Sequence, residues 1–402
     1  MDDWSVRSEV GRLRTVLVRR PGLELQRLTP ANKDELLFDE LLWVEHAQRE
    51  HEAFAAVMTA AGAEVLHLAD LLTDVLSDPE VAAQVIVSHV TETQTGPSAV
   101  AAVREFLSGL PPRELVEHLI GGVAVEEVPS THGLVGVSAP PGAMLLDPLP
   151  NAVFMRDSSA WVGEGVVLSP MNRLVRRRES ALLRLLVTAH PRFAGSPIWF
   201  GRHDVDNFPA TFEGGDLLVV GDRGLAIGMS ERTTASGVET LAHRLFEAGV
   251  VDRVLAVDLP KVRAAMHLDT IVTQVDVDAF LTYPQMTPVL RCFEVTPNGS
   301  DLKVSAAEGL RGGLAWAAGL DDVRFIEPPF GSTAAAREQW NDANNTLALA
   351  PGHVVAYERN VATNEVLHDA GIRVDTIPSY ELPRGRGGPR CMTCPLRRDP
   401  IG

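Results

Sequence analysis

What most constrains this chain is a unit that recurs about every fifty residues after Pro150. Each unit opens with a polar cluster, continues as strand, tight turn and strand, then adds a helix and a last strand. The clusters stand at 151–157, 213–216, 267–269 and 341–345. In the first unit the pattern predicts strands around Trp161 and at 166–168, a helix at 179–188 and a strand at 198–200. The second has strands on either side of Gly221-Asp222-Arg223-Gly224, a helix near 237–248 and a strand at 254–257. The third ends with a strand at 323–326 and the fourth with one at 374–377. A strand at 13–18, a helix at 39–61 and a strand at 64–68 make a fifth. Units of this length imply a solenoid or a ring, and a ring gathers every polar head at one centre.

Between the fifth unit and the others the texture changes. From about 70 to 122 the chain is almost all helix formers, cut by Pro79, Gly96-Pro97, Gly109 and Pro111-Pro112. Those breaks predict three or four short amphipathic helices. The expected organisation is an α/β body from 1–69 and 148–402, with a helical subdomain inserted at 70–147.

Composition narrows the partners. Lys and Arg number 36 against 53 Asp and Glu, a net charge of −17. Such a surface repels phosphate backbones, which argues against nucleic acid, and it concentrates small cations. The start, MDDWSVRSEVGRLR, has no apolar core of a signal peptide, and no apolar run reaches the roughly 18 residues of a membrane span. Cys292, Cys391 and Cys394 are too few for a disulfide framework. The expectation is a soluble, reduced, cytoplasmic protein, monomeric or homo-oligomeric.

The chemistry concentrates in the polar heads and near the C-terminus. The run RGRGGPRCMTCP ends in a CxxC pair, Cys391 and Cys394. Zinc wants a second ligand pair, which is missing, and a redox pair wants a strand–helix setting. Two buried structural thiols remain open, as does a nucleophile on a glycine-rich loop, where glycines let backbone approach a ligand closely. His267 and Asp269 alternate on an expected strand and so face the same way, which suits acid–base work, a metal or a structural pair. The segment 213–216, EGGD, reads equally well as a hairpin turn, and the aspartate in NAVFMRDS as a helix cap.

Jointly these fragments say more than each does alone. PLPNAVFMRDS, EGGD, MHLDT and GRGRGGPRCMTCP, in this order, resemble the arginine deiminases, as do LLFDELLWVEHAQREH and WNDANN. The resemblance spans nearly the whole chain. It implies an α/β fold, a five-fold pseudosymmetric propeller of ββαβ-type units around a central site, with an inserted small helical subdomain. It also implies hydrolysis of L-arginine to L-citrulline and ammonia through a Cys-linked amidino intermediate, with no cofactor and no metal.

By that resemblance Asp157 and Asp269 hold the guanidinium by paired hydrogen bonds, the geometry a planar cation demands. Glu213 joins them and orients His267, Asp216 supports the neighbouring backbone, Cys391 attacks and His267 activates water. Phe154 belongs to the substrate pocket. Arg176 and Arg232 are expected to bind the α-carboxylate, helped by Asn151 and Arg386; beside Arg177 and Arg178, Arg176 also fits a solvated basic helix start. A thiol among three carboxylates should have a raised pKa, and the same carboxylates should keep His267 protonated. Some relatives carry histidine before the nucleophile; Arg390 stands here, and a fixed cation beside the sulfur is expected to favour thiolate at higher pH than a titrating histidine would. An amidinotransferase, a deiminase of agmatine or peptidyl-arginine, and an inactive binding scaffold are the alternatives, the last opposed by the presence of every central residue.

Overall fold

The computed structural model describes residues 3–128, 131, 133–202, 208–329 and 331–401. Five of its sheets share one plan: an antiparallel hairpin, a helix, and a third strand parallel to the second. Ser159–Val162 and Gly165–Leu168 pair antiparallel, and Ile198–Phe200 returns parallel after the helix Arg177–Ala189. Leu217–Gly221, Gly224–Met229 and Arg253–Asp258 repeat this around the helix Ala235–Glu247. So do Val272–Asp276, Ala279–Thr282 and Arg324–Ile326, and then Leu347–Ala350, His353–Tyr357 and Arg373–Ile377.

The fifth sheet is assembled from both ends of the chain. Leu13–Val18 pairs parallel with Glu64–His67, and its hairpin partner is the C-terminal strand Thr393–Arg398. The unit that sequence placed at the N-terminus thus receives its first strand from the residues just after Cys391. Successive first strands are neighbours: Thr393–Arg398 lies by Ser159–Val162, Leu217–Gly221 by Val272–Asp276, and Val272–Asp276 by Leu347–Ala350. The turn Met155–Ser158 meets the turn Gly214–Asp216, and Leu347–Ala350 meets Leu13–Val18, which returns the succession to its start. Every residue of Leu217–Gly221 and of Ser159–Val162 is buried, which explains near-continuous apolar runs where one exposed face would have imposed alternation.

Several expectations change in detail. The helix expected from 39 runs Val44–Ala60, because Trp43 is still extended and its N–H donates to Glu381. The third unit is longer than the others because the hairpin Arg291–Asn298 and Asp301–Ala306 adds to the preceding sheet instead. Residues 267–269 are not strand: His267 is extended and a single 3-10 turn, Leu268–Thr270, follows. Five helices, not three or four, stand between residues 68 and 121: Leu68–Leu76, Pro79–His89, Glu92–Thr95, Val100–Ser108 and Pro112–Gly121. The extra one is a single turn that Thr91 and Gln94 close as a capping box before Gly96, at φ 79°, stops it. Residues 129, 130 and 132 of the expected insert lie outside the described residues. Among those described, no helix is long and apolar enough to cross a membrane.

Candidate active site

The polar heads lie at the start of the first strand of each sheet, so neighbouring sheets bring them together. Asp157 precedes Ser159–Val162, Glu213 precedes Leu217–Gly221, Asp269 precedes Val272–Asp276 and Asn345 precedes Leu347–Ala350. Cys391 precedes Thr393–Arg398. The glycine run before it is demanded by packing: a Cβ on Gly387 would come within 2.2 Å of the Phe154 ring, and one on Gly388 within 2.6 Å of the Asn345 carbonyl oxygen. The loop is anchored at its base by Glu50, whose buried carboxylate accepts the N–H groups of Tyr380, Glu381 and Leu382 at 2.6–3.1 Å.

At the centre, Cys391 is 4% exposed, and its N–H donates to Asn345 Oδ1 at 2.8 Å. Its Sγ lies 3.7 Å from Asp269 Oδ2. Burial, then Asp269, Asp157 and Asp342, hold the thiol well above its ordinary range. Cys394 is elsewhere: its Sγ packs against the Ser159 hydroxyl and carbonyl, both at 3.4 Å. His267 Nε2 lies 3.0 Å from Glu213 Oε2, and Nδ1 lies 3.6 Å from Asp157 Oδ1. Burial favours the neutral ring, but Asp157, the Glu213 hydrogen bond and Asp216 outweigh it and push His267 up to about 9. Glu213 remains ionised: burial opposes this, and Arg232, Arg176 and His267 overcome it to hold the carboxyl well below its usual range.

Asp216 faces backbone and a hydroxyl. It accepts the Leu268 N–H at 2.9 Å and the Ser230 hydroxyl at 2.6 Å, tying the turn that carries His267 and Asp269 to the neighbouring sheet. Burial pushes its carboxyl up to about 7.

The arginines divide differently from expectation. Arg176 is buried at the centre, so the solvated-helix reading fails for it, yet its donors are occupied. Nη1 reaches Asp157 at 2.9 Å and Glu213 at 3.2 Å, and Nη2 reaches Glu179 at 2.8 Å. Arg178 instead donates to the carbonyls of Asp147 and Leu119. Arg232 pairs with Glu213 at 3.5 Å and with Glu231 at 2.9 Å. Arg386 lies over the Trp340 ring, 3.7 Å from its centroid, and donates to the Trp340 carbonyl. Asn151 donates to the Leu36 carbonyl at 2.7 Å, and Phe154 stacks on Phe38.

Arg390 corrects one expectation. Its guanidinium turns to Glu9, at 3.0 and 3.1 Å, and to Asp269 at 2.8 Å, so its charge is spent on carboxylates and the thiol stays high. Sequence reasoning passed over Glu9, Glu179 and Glu50. Nothing in their local pattern marks them, since each gains its role from a partner brought in by folding or by a helix turn. Asn345 carried a signal, as part of the polar head 341–345.

Two features bear on what the site can hold. Asp157, Glu213 and His267 offer ligand atoms within 4.8 Å of one another. Arg176 and Arg232 already neutralise those carboxylates, and an imidazolium at neutral pH has no lone pair to give, so the donor set suits protons and a cation better than a metal. Open clefts lie elsewhere; one of about 420 Å³, lined by Arg19, Arg20, His67, Asp70, Arg113 and Glu117, holds no nucleophile. Chemistry, not concavity, makes the enclosed centre the candidate site.

The fold is shared with solved structures at low sequence identity. DDAH from Pseudomonas aeruginosa, solved in complex with citrulline, aligns with a TM-score of 0.53 and 16% identity, covering 95% of this chain and 99% of that one. SxtG, an amidinotransferase from Microseira wollei in a saxitoxin biosynthetic pathway, aligns with a TM-score of 0.60 and 14% identity, covering 100% and 98%. The chain thus has the α/β fold of the dimethylarginine dimethylaminohydrolase and amidinotransferase structures. The arginine deiminase family model matches residues 34–398, and the chain belongs to that family. Hydrolysis at guanidino groups is the class of chemistry this membership carries.

Proposed function

We propose that the chain hydrolyses free L-arginine to L-citrulline and ammonia. One observation carries this. Around Cys391 and His267, three buried carboxylates each keep one oxygen without a hydrogen-bond partner: Asp157 Oδ1, Glu213 Oε1 and Asp269 Oδ1. Buried acceptors are costly when unpaired, and a guanidinium offers donors on three nitrogens in a plane. With that cation bound, the negative field that holds the thiol protonated is neutralised and Cys391 can lose its proton. The thiolate attacks the guanidinium carbon. The His267 imidazolium protonates the departing nitrogen, the C–N bond breaks, and ammonia leaves a cationic amidino-cysteine. Neutral His267 then takes a proton from water as the oxygen adds to the same carbon. The added hydroxyl gives up its proton as the C–S bond breaks, citrulline forms and Cys391 regains its thiol, while the proton that the thiol first lost leaves with ammonia as ammonium.

In this reading Arg232 and Arg176 present the α-carboxylate subsite once substrate displaces their present partners, and Arg386 helps from the loop. In the same reading the five sheets act as blades of a pseudosymmetric propeller, and the described residues between 70 and 147 belong to a subdomain inserted into it. The test is incubation with L-arginine, alone and with an added amine, assaying citrulline and ammonia together. Stoichiometric citrulline and ammonia without the amine support the reading. Ornithine formed only when an amine is supplied would make the chain an amidinotransferase.

A further inference from the structure

The segment 340–345 borders the centre on one side. At one end the Trp340 carbonyl accepts Arg386 Nη1 at 2.7 Å, and at the other Asn345 Oδ1 accepts the Cys391 N–H at 2.8 Å. Between them stands Asp342, 2% exposed, with both carboxylate oxygens buried and without a hydrogen-bond partner. Its backbone is left-handed, φ 59°, a conformation an aspartate tolerates better than most residues. Its charge acts on the Cys391 thiol alongside those of Asp269 and Asp157. Burial pushes its own carboxyl up to about 7, with Asp269 and Asp39 adding to the rise and Arg386 and Arg263 opposing it.

A buried carboxylate that no protein donor satisfies is strongly disfavoured, and one that a native chain keeps calls for a functional or solvent explanation, of which a bound cation is one. The carboxylates around Cys391 already account for one cationic group. Asp342, on a different segment and bonded to none of them, is a second anionic point, so its partner is a second cation on the same molecule. Resting on the reading above, we propose that Asp342 receives the α-ammonium group of the substrate and thereby selects a free amino acid. A peptide-bound arginine presents a neutral amide nitrogen there and is rejected, because the carboxylate would stay unpaired.

Asp342→Asn keeps the size and the tolerance for a left-handed backbone, so it removes the charge with little else. The substrates to compare are L-arginine and 5-guanidinopentanoate, which is arginine without the α-amine. Loss of a charge-assisted contact predicts a fall of roughly 10- to 100-fold in kcat/KM for L-arginine. The fall for 5-guanidinopentanoate should be at least about tenfold smaller, since it offers no ammonium to lose. Equal losses on both compounds, or none on either, overturn the proposal and leave Asp342 a residue of the turn. Calorimetric titration of Cys391→Ser, with and without Asp342→Asn, with the same pair reads the contact without turnover. Absence of citrulline from the unmodified protein would defeat the deiminase reading. A Cys391→Ser protein that binds the two compounds equally would defeat this one.

Discussion

Removing the charge of Asp157 tests the electrostatic design of the site most directly. The charge of Asp157 is the largest single contribution that raises His267, with Oδ1 3.6 Å from Nδ1. The rise from 6.5 to about 9 corresponds to about 3 kcal/mol in favour of imidazolium. At 3.6 Å and an effective dielectric of about 20, the pair interaction alone is roughly 4–5 kcal/mol, part of which Arg176 cancels. Asp157→Asn should therefore bring the His267 titration midpoint from about 9 to between about 6 and 7. The fold should persist, since Arg176 keeps Glu179 and Glu213. The assay is carbon-13 NMR of ring-labelled histidine across pH 5–10, with the His267 signal identified by its loss in His267→Gln. A midpoint in Asp157→Asn within about half a pH unit of the unmodified protein would refute the electrostatic account.

Three other outcomes follow from the same geometry. Cys391→Ser should be folded and essentially inactive, whereas Cys394→Ser, whose sulfur only packs against Ser159, should keep most of its turnover; the reverse pattern would move the nucleophile. Glu9→Gln should lose about 3 kcal/mol at pH 7: burial opposes ionisation of Glu9, but Arg390 and Arg156 hold its carboxyl down to about 2. Because the folded pKa is depressed below the ordinary 4.5, that stability is present above pH 4.5 and is lost as pH falls through about 2. Urea midpoints at pH 7 and pH 3 should show the gap shrinking, and a constant gap would make Glu9 a packing residue only. Dialysis against a strong chelator should leave turnover intact, and activity lost on chelation and restored by zinc would show that Asp157, Glu213 and His267 hold a metal.

Local pattern was enough to read the strands at 13–18 and 198–200 and the polar heads 151–157, 213–216 and 267–269, whereas grouping Cys391, His267, Glu213, Asp157 and Asp269 as one set came from the resemblance to the arginine deiminases. Strand and helix periodicity is written residue by residue, and so is the spacing of the polar heads. What no local pattern carries is the partner across the fold. Thr393–Arg398 completes the sheet of Leu13–Val18, nearly the full chain length away, and Glu9 and Arg390 meet only because of that closure. The direction of Arg176 was likewise open among three adjacent arginines until its neighbours Glu179, Asp157 and Glu213 were in place. Charges interact through space, over a few ångströms and in a medium whose dielectric depends on burial. The sequence by itself therefore determined which groups this protein has for its chemistry, and only the tertiary structure decided their protonation, their pairing and which carboxylate oxygens remain free for a cation.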